Sequence, residues 1–382
     1  MRHYSAADEE NIRTAALLQE WCKSGFLETS QITELGSELR TDLRRTNAFL
    51  RALLFLFTVI IVVASVYLAF ITFRVEEKHE MGAVCIVAAA MCFVLAELLV
   101  RRFRLYRYGV EEALAASSAI LLGIGMALAS PADSDTVRIF IALAVIAVVT
   151  AFLYIRFGFV YAAVAAILSA ASTPFTFSWS GENEHLLAAS IYILCLLFVR
   201  ARRRQYDEDY PGDDYGVMQA FAWCGVYLVL NIHLPWFYGY SGGAFYWFTY
   251  AAIWILPVVG LWLALPARDR LFMQVNVGLL LITLITNKPY LQLMRKPWDP
   301  ILFGVLLIGT AIIIKRWLAA GANGQRYGYT PQRILAGDRR LLNVAATMSA
   351  AMRPNVPSPA QPETKADFGG GRSGGAGASG NF

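Results

Sequence analysis

Ten apolar stretches follow one another along the chain, near residues 52–73, 82–100, 110–130, 137–155, 158–174, 185–200, 216–234, 244–265, 270–287 and 299–318. An α-helix rises ~1.5 Å per residue, so about 20 apolar residues cross the ~30 Å hydrocarbon layer of a bilayer. The pattern predicts an all-α, polytopic integral membrane helical bundle of about ten transmembrane helices. Only Arg156, Phe157 and Gly158 separate the fourth and fifth stretches, and a tight hairpin there is the economical reading. The fifth carries Ala162, Ala166 and Ala170 four apart, with Ser169 and Ser172 beside them, which lets backbones approach closely and places it near the bundle centre. Pro257 inside the eighth predicts a kink, with a neighbour taking up the carbonyl that proline leaves unpaired. No matched pair of broken spans marks an internal repeat.

Outside the apolar body the pattern changes. Residues 1–48 predict a cytoplasmic helical pair, too small to fold alone, that packs on itself or on the membrane surface. Residues 49–319 form the transmembrane bundle. Residues 320–353 predict a cytoplasmic amphipathic helix, opened by Thr330 and Pro331, with Arg333, Arg339 and Arg340 among its leucines. Contact with anionic lipid is the partner this helix implies. Residues 354–382 are rich in Gly, Pro and Ser and predict a disordered tail.

Cationic residues set the threading. Arg40, Arg44, Arg45 and Arg51 precede the first stretch, Arg101, Arg102, Arg104 and Arg107 fill the second gap, and Arg156 the fourth. Arg200, Arg202, Arg203 and Arg204 follow in the sixth, Arg268 and Arg270 in the eighth, and Lys315 and Arg316 close the series. By the positive-inside rule these gaps are cytoplasmic, as are both termini, in the inner membrane of a bacterial cell. The ninth gap argues against this, with Lys288, Arg295 and Lys296. At 57% hydrophobic and 16% charged, the chain lacks the polar cover of a soluble globule. No cleavable signal is expected ahead of the first stretch. Four of the five cysteines fall inside spans, so no disulfide framework is expected.

Candidate chemistry is sparse. Glu97, Arg101, Arg107, Glu111 and Glu112 gather near the cytoplasmic ends of the second and third stretches. Glu97 to Arg101 and Arg107 to Glu111 are four apart, a helical ion-pair spacing, and predict a salt-bridged hairpin. Asn231, Thr283, Thr286 and Asn287, with Gln219, Gln274 and Asn276, predict interhelical hydrogen bonds or a narrow polar route. His233, Pro235, Trp236, Tyr238, Tyr240, Tyr246 and Trp247 predict an interfacial aromatic belt. His79, His185 and His233 all fall on the outer side, and a divalent metal would require them to converge. The acidic run Asp207, Glu208, Asp209, Asp213 and Asp214 lacks calcium-loop spacing and reads as a solvated patch. Gly123 and Gly125 read as packing positions. No phosphate-cradling loop, nucleophile elbow or cofactor motif is present, and neither cofactor nor nucleic-acid partner is expected.

The opening segment LLQEWCKSGFLETSQITEL, with Trp21, Gly25, Leu27 and Gln31, resembles a family of uncharacterised bacterial multi-spanning membrane proteins defined by a domain of unknown function. The turn Arg107, Tyr108, Gly109 ahead of a small-residue span is similar too. The resemblance covers about the first third of the chain and implies no activity. The leading expectation is a non-catalytic membrane scaffold or sensor. A transporter or channel-like protein for a small solute is second, and a membrane enzyme on a lipid-linked substrate third.

Overall fold

The computed structural model of the protein describes residues 6–39, 41–177, 181–205, 214–234, 243–267, 269–294, 296, 298–321, 326 and 329. Among them all regular structure is helical. Two short helices lead, α1 (Ala6–Lys23) and α2 (Thr29–Glu38). Ten follow: α3 (Ala48–Thr72), α4 (Lys78–Phe103), α5 (Val110–Ala129), α6 (Asp135–Phe157), α7 (Val160–Ser172), α8 (Gly181–Gln205), α9 (Asp214–Leu230), α10 (Ala244–Ala267), α11 (Arg270–Tyr290) and α12 (Asp299–Ala319). A single 3-10 turn, Thr173–Thr176, continues α7.

Local chemistry sets several boundaries. The Asn47 side chain accepts from the Leu50 amide at 2.8 Å and so caps α3, and Asp269 caps α11 by accepting from Phe272 at 3.0 Å. Gly158, at φ +74°, closes α6 in the left-handed region and makes the hairpin into α7.

Each of the ten apolar stretches coincides with a helix, and eight of these are long and apolar enough to cross a membrane. The chain is therefore a multi-pass helical membrane protein. The two shorter ones are α7, with 13 residues, and α9, with 17. Both are tied to other helices at their two ends. Phe159, entering α7, stacks on Phe157 at the end of α6, while Phe175 in the 3-10 turn meets the His185 ring near the start of α8. Asp214 at the start of α9 lies 3.9 Å from Arg13, and Ile232, just past its end, donates to the Tyr290 hydroxyl that closes α11.

Two apolar cores fill the body. One joins α4, α5, α6 and the start of α7 around Ala96, Ala115, Leu153 and Phe157; the other joins α7 to α11 around Ala188, Ala222, Tyr227 and Ile253. The small-residue helix α7 belongs to both, as its alanine pattern predicts. Helices α4 and α5 cross closely where Gly82 meets Gly125 and Ala129, since a Cβ on Gly82 would come within 2.6 Å of the Ala129 nitrogen. Gly123 presses against Ile146 of α6 in the same way. Helix α3 buries no residue, and its large apolar side chains point outward, as lipid-facing positions do. All five cysteines are free.

The N-terminal pair differs from expectation. Rather than packing only on itself or on the membrane surface, α1 inserts Ile12 into the first core and sets Arg13 beside Asp214 of α9. An apolar residue on the inner face of α1 finds a better partner at the bundle end than in its short neighbour. Asp214 is accordingly buried, not solvated. A short strap then leads into α3: Arg44 donates its amide to the Arg104 carbonyl and accepts from Tyr106, both at 3.0 Å. Gly109, at φ +110°, lies against the Arg51 carbonyl with no room for a side chain. The predicted helix from Thr330 and the tail from residue 354 lie outside the described residues, as do Asp207, Glu208, Asp209, Asp213, Pro235, Trp236, Tyr238 and Tyr240.

Candidate functional site: a buried polar ladder and its flanking charges

Gln219, Trp223, Tyr227 and Asn231 recur every four residues on α9 and its end, which puts them on one helix face over about 18 Å. That face meets α10 and α11. Trp223 donates through Nε1 to the Asn276 Oδ1 at 2.8 Å, and Asn276 donates through Nδ2 to the Phe272 carbonyl at 2.7 Å. Asn276 sits against Gly260 of α10, where a Cβ would overlap its amide. One turn further, Asn231 donates to the Tyr227 hydroxyl and to Thr286 Oγ1, both at 3.2 Å. Tyr227 and Thr283 hydroxyls lie 2.8 Å apart, and Thr283 reaches the Ile253 carbonyl at 2.8 Å. Since Ile253 O can only accept, the chain of donors runs from Asn231 through Tyr227 and Thr283 to Ile253.

At the Asn231 end of the ladder Tyr290 accepts from the Ile232 amide at 3.2 Å and lies 3.3 Å from both the Leu230 carbonyl and Thr249 Oγ1. Tyr246 donates to the Tyr290 carbonyl and receives the His233 Nε2 at 3.2 Å. At the Gln219 end Arg203 contacts Gln219 at 3.2 Å and Asp269 at 2.8 Å.

Of the expected polar route, Asn231, Thr283 and Thr286 are buried within this ladder, Asn231 bonding Thr286 directly and reaching Thr283 through Tyr227. Asn287 stands aside from them and accepts from the Tyr250 hydroxyl at 2.9 Å. Asn231 Oδ1 is fully buried and has no hydrogen-bond partner. The sequence reading missed Trp223, Tyr227, Thr249 and Tyr290. The signal for Trp223 and Tyr227 is the four-residue recurrence with Gln219 and Asn231, which an apolar run of aromatics conceals; Thr249 on α10 and Tyr290 on α11 carry no such spacing.

The charged cluster is wired differently from its sequence spacing. Glu97 is held by Arg156 of α6, which donates through Nε at 3.3 Å and through a second guanidinium nitrogen. Arg101 is exposed. Arg51 of α3 makes a two-point pair with Glu112, one contact at 2.6 Å. Arg107 lies over the Tyr106 ring rather than on Glu111. Glu111 instead accepts the Tyr108 amide at 2.6 Å, which ties the turn before α5 to its first turn, and its second oxygen is buried without a partner. Packing between helices thus overrides the local spacing, which is worth only a few tenths of a kcal/mol on an exposed helix.

The three histidines do not converge. His79 is exposed and pairs with Glu77 at 3.1 Å; among the described residues Glu77, His79 and Glu80 are the group whose ligand atoms lie within 4.8 Å of one another. His185 is buried and gives its Nδ1 proton to the Val229 carbonyl at 2.7 Å. His233 serves Tyr246. Lys288, one of the three cations that break the arginine alternation, is paired with Asp299, which also accepts the Lys296 amide at 2.9 Å. That ammonium holds the Asp299 carboxyl below the usual range, at a position just ahead of the crossing stretch Ile301–Ala319.

No protein-family model, curated protein or solved structure matches the chain.

Proposed function

We propose that this protein is a non-catalytic scaffold or sensor with ten crossings of a bacterial inner membrane and both termini in the cytoplasm. The observation that carries this reading is the closed state of the polar ladder. Asn231, Thr283 and Thr286 are spent on Tyr227 and on main-chain carbonyls, which favours cohesion over passage. The docking of α1 adds support, because Ile12 and Arg13 tie the N-terminal head to both halves of the bundle. The ten crossings draw support from α7 and α9, which are tied to other helices at their two ends. The orientation draws support from the alternation of arginines between successive gaps.

A cysteine scan at Asn231, Thr283, Thr286 and Asn287 tests the reading. Impermeant thiol reagents should label none of the first three from either side. Labelling of one position from both sides would make transport of a small solute the leading function. The buried Asn231 Oδ1, an acceptor with no donor, is the observation that favours this second reading.

A further inference from the structure

Between α6 and α8 an open groove of about 790 Å³ runs along α7, with Ala151, Ala166, Ala170, Phe198, Arg202 and Tyr215 among its walls. It exists because both long helices rest on α7, whose alanines are too small to fill the space between them. We propose that this groove binds an anionic phospholipid of the inner leaflet, with an acyl chain along the alanines and the phosphate on Arg202.

Three observations select this occupant. First, the walls are almost wholly apolar and the groove opens laterally from a membrane-crossing bundle, so hydrocarbon chains are the ligand it meets. Second, the stretch of α8 that lines it, from Leu194 to Arg202, spans about 12 Å, close to half the ~30 Å hydrocarbon thickness. The groove is one leaflet deep. Third, the polar groups gather at one mouth. Arg202, near the end of α8, and Tyr215, near the start of α9, both line the groove, and the Arg202 guanidinium lies over the Phe198 ring, 5.7 Å from its centre. A guanidinium carries five donors and suits phosphate. A headgroup with its own ammonium would meet Arg200 and Arg202 with like charge, so the anionic class is favoured.

The word "inner" rests on the orientation proposed above; lipid binding itself does not, and detergent-purified protein reads it separately. Native mass spectrometry with phosphatidylglycerol or phosphatidylcholine is the measurement. Wild-type protein should retain phosphatidylglycerol several-fold more than phosphatidylcholine. Ala151→Phe and Ala166→Phe, which fill the groove from its α6 wall and its α7 floor, should each lose most of the bound lipid. Arg202→Gln should bring the two lipids to equal retention. Thermal unfolding without added lipid checks that each variant folds, and either groove-filling variant suffices if the other does not. Equal retention of both lipids by wild-type protein overturns the proposal, as does undiminished phosphatidylglycerol in a folded groove-filling variant. A wild-type dimer without lipid that Ala166→Phe converts to monomer also overturns it, because a second copy would then occupy the groove.

Discussion

The hydroxyl of Thr283 on α11 donates to the main-chain carbonyl of Ile253 on α10 at 2.8 Å, and that carbonyl is the one Pro257 leaves unpaired four residues on. A helix interior normally satisfies each carbonyl from its own chain, and proline removes that donor. In a bilayer no water replaces it, so a neighbouring helix must. Thr283→Val should destabilise the detergent-solubilised protein by about 1–2 kcal/mol. Pro257→Ala restores the amide that Ile253 lacks, so the double variant should recover part of the loss. Additive losses in thermal unfolding would separate the two residues.

Gly260 and Asn276 make a second such contact. A methyl group on residue 260 would overlap the Asn276 amide, which holds the Trp223 indole at 2.8 Å. Gly260→Ala should displace that side chain and release the indole, at a cost of about 1–3 kcal/mol for the overpacking. Indole fluorescence should shift with it. Adding Asn276→Ala should restore room for the methyl, so a double variant no more stable than Gly260→Ala alone would refute the steric account.

The Arg51–Glu112 pair joins α3 to α5, although α3 buries no residue of its own. Loss of the arginine leaves a carboxylate that is 3% exposed without its partner. A fully buried orphan charge costs about 3–5 kcal/mol, and the partial exposure of Arg51 lowers this to at most about 3. Arg51→Gln should therefore be more damaging than Arg101→Gln, whose side chain is exposed. Glu112→Gln in the Arg51→Gln background should regain stability. Equal effects of the two arginine substitutions in a melting assay would dismiss the pair.

Threading has a direct check in a cysteine-free background. A cysteine at Ser134 should react with an impermeant thiol reagent on intact cells, and one at Arg102 only after the membrane is opened. Reaction at Arg102 from outside would invert the assignment.

Much of the fold was legible because bilayer thickness writes itself into sequence as the length of apolar runs. All ten stretches became helices, and the hairpin at Gly158 and the close packing at Gly123 and Gly125 followed from local chemistry. The need for a partner at Pro257 was legible too, but not that Thr283 would supply it, since helix neighbours are not encoded by spacing. The same limit misassigned Glu97. Its partner is Arg156, 59 positions away, while the arginine four residues along lies exposed. The ladder was half visible: amides and threonines stand out in an apolar run, whereas Trp223 and Tyr227 look like ordinary hydrophobic filling until their polar ends find acceptors.

The contact between Arg13 and Asp214 has a consequence for biogenesis. The two residues are separated by 201 positions, and helices α3 to α8 lie between them in the chain. The head is synthesised first, yet it cannot take up its final seat until the seventh apolar helix of the bundle has emerged and its start has reached the same end of the molecule. Until then Arg13 lacks Asp214, even though the core that receives Ile12 is built wholly from residues of earlier helices and turns. Closure of the head is thus a late event that reports a bundle made as far as α9, and a chain stalled before that point lacks the Arg13–Asp214 contact.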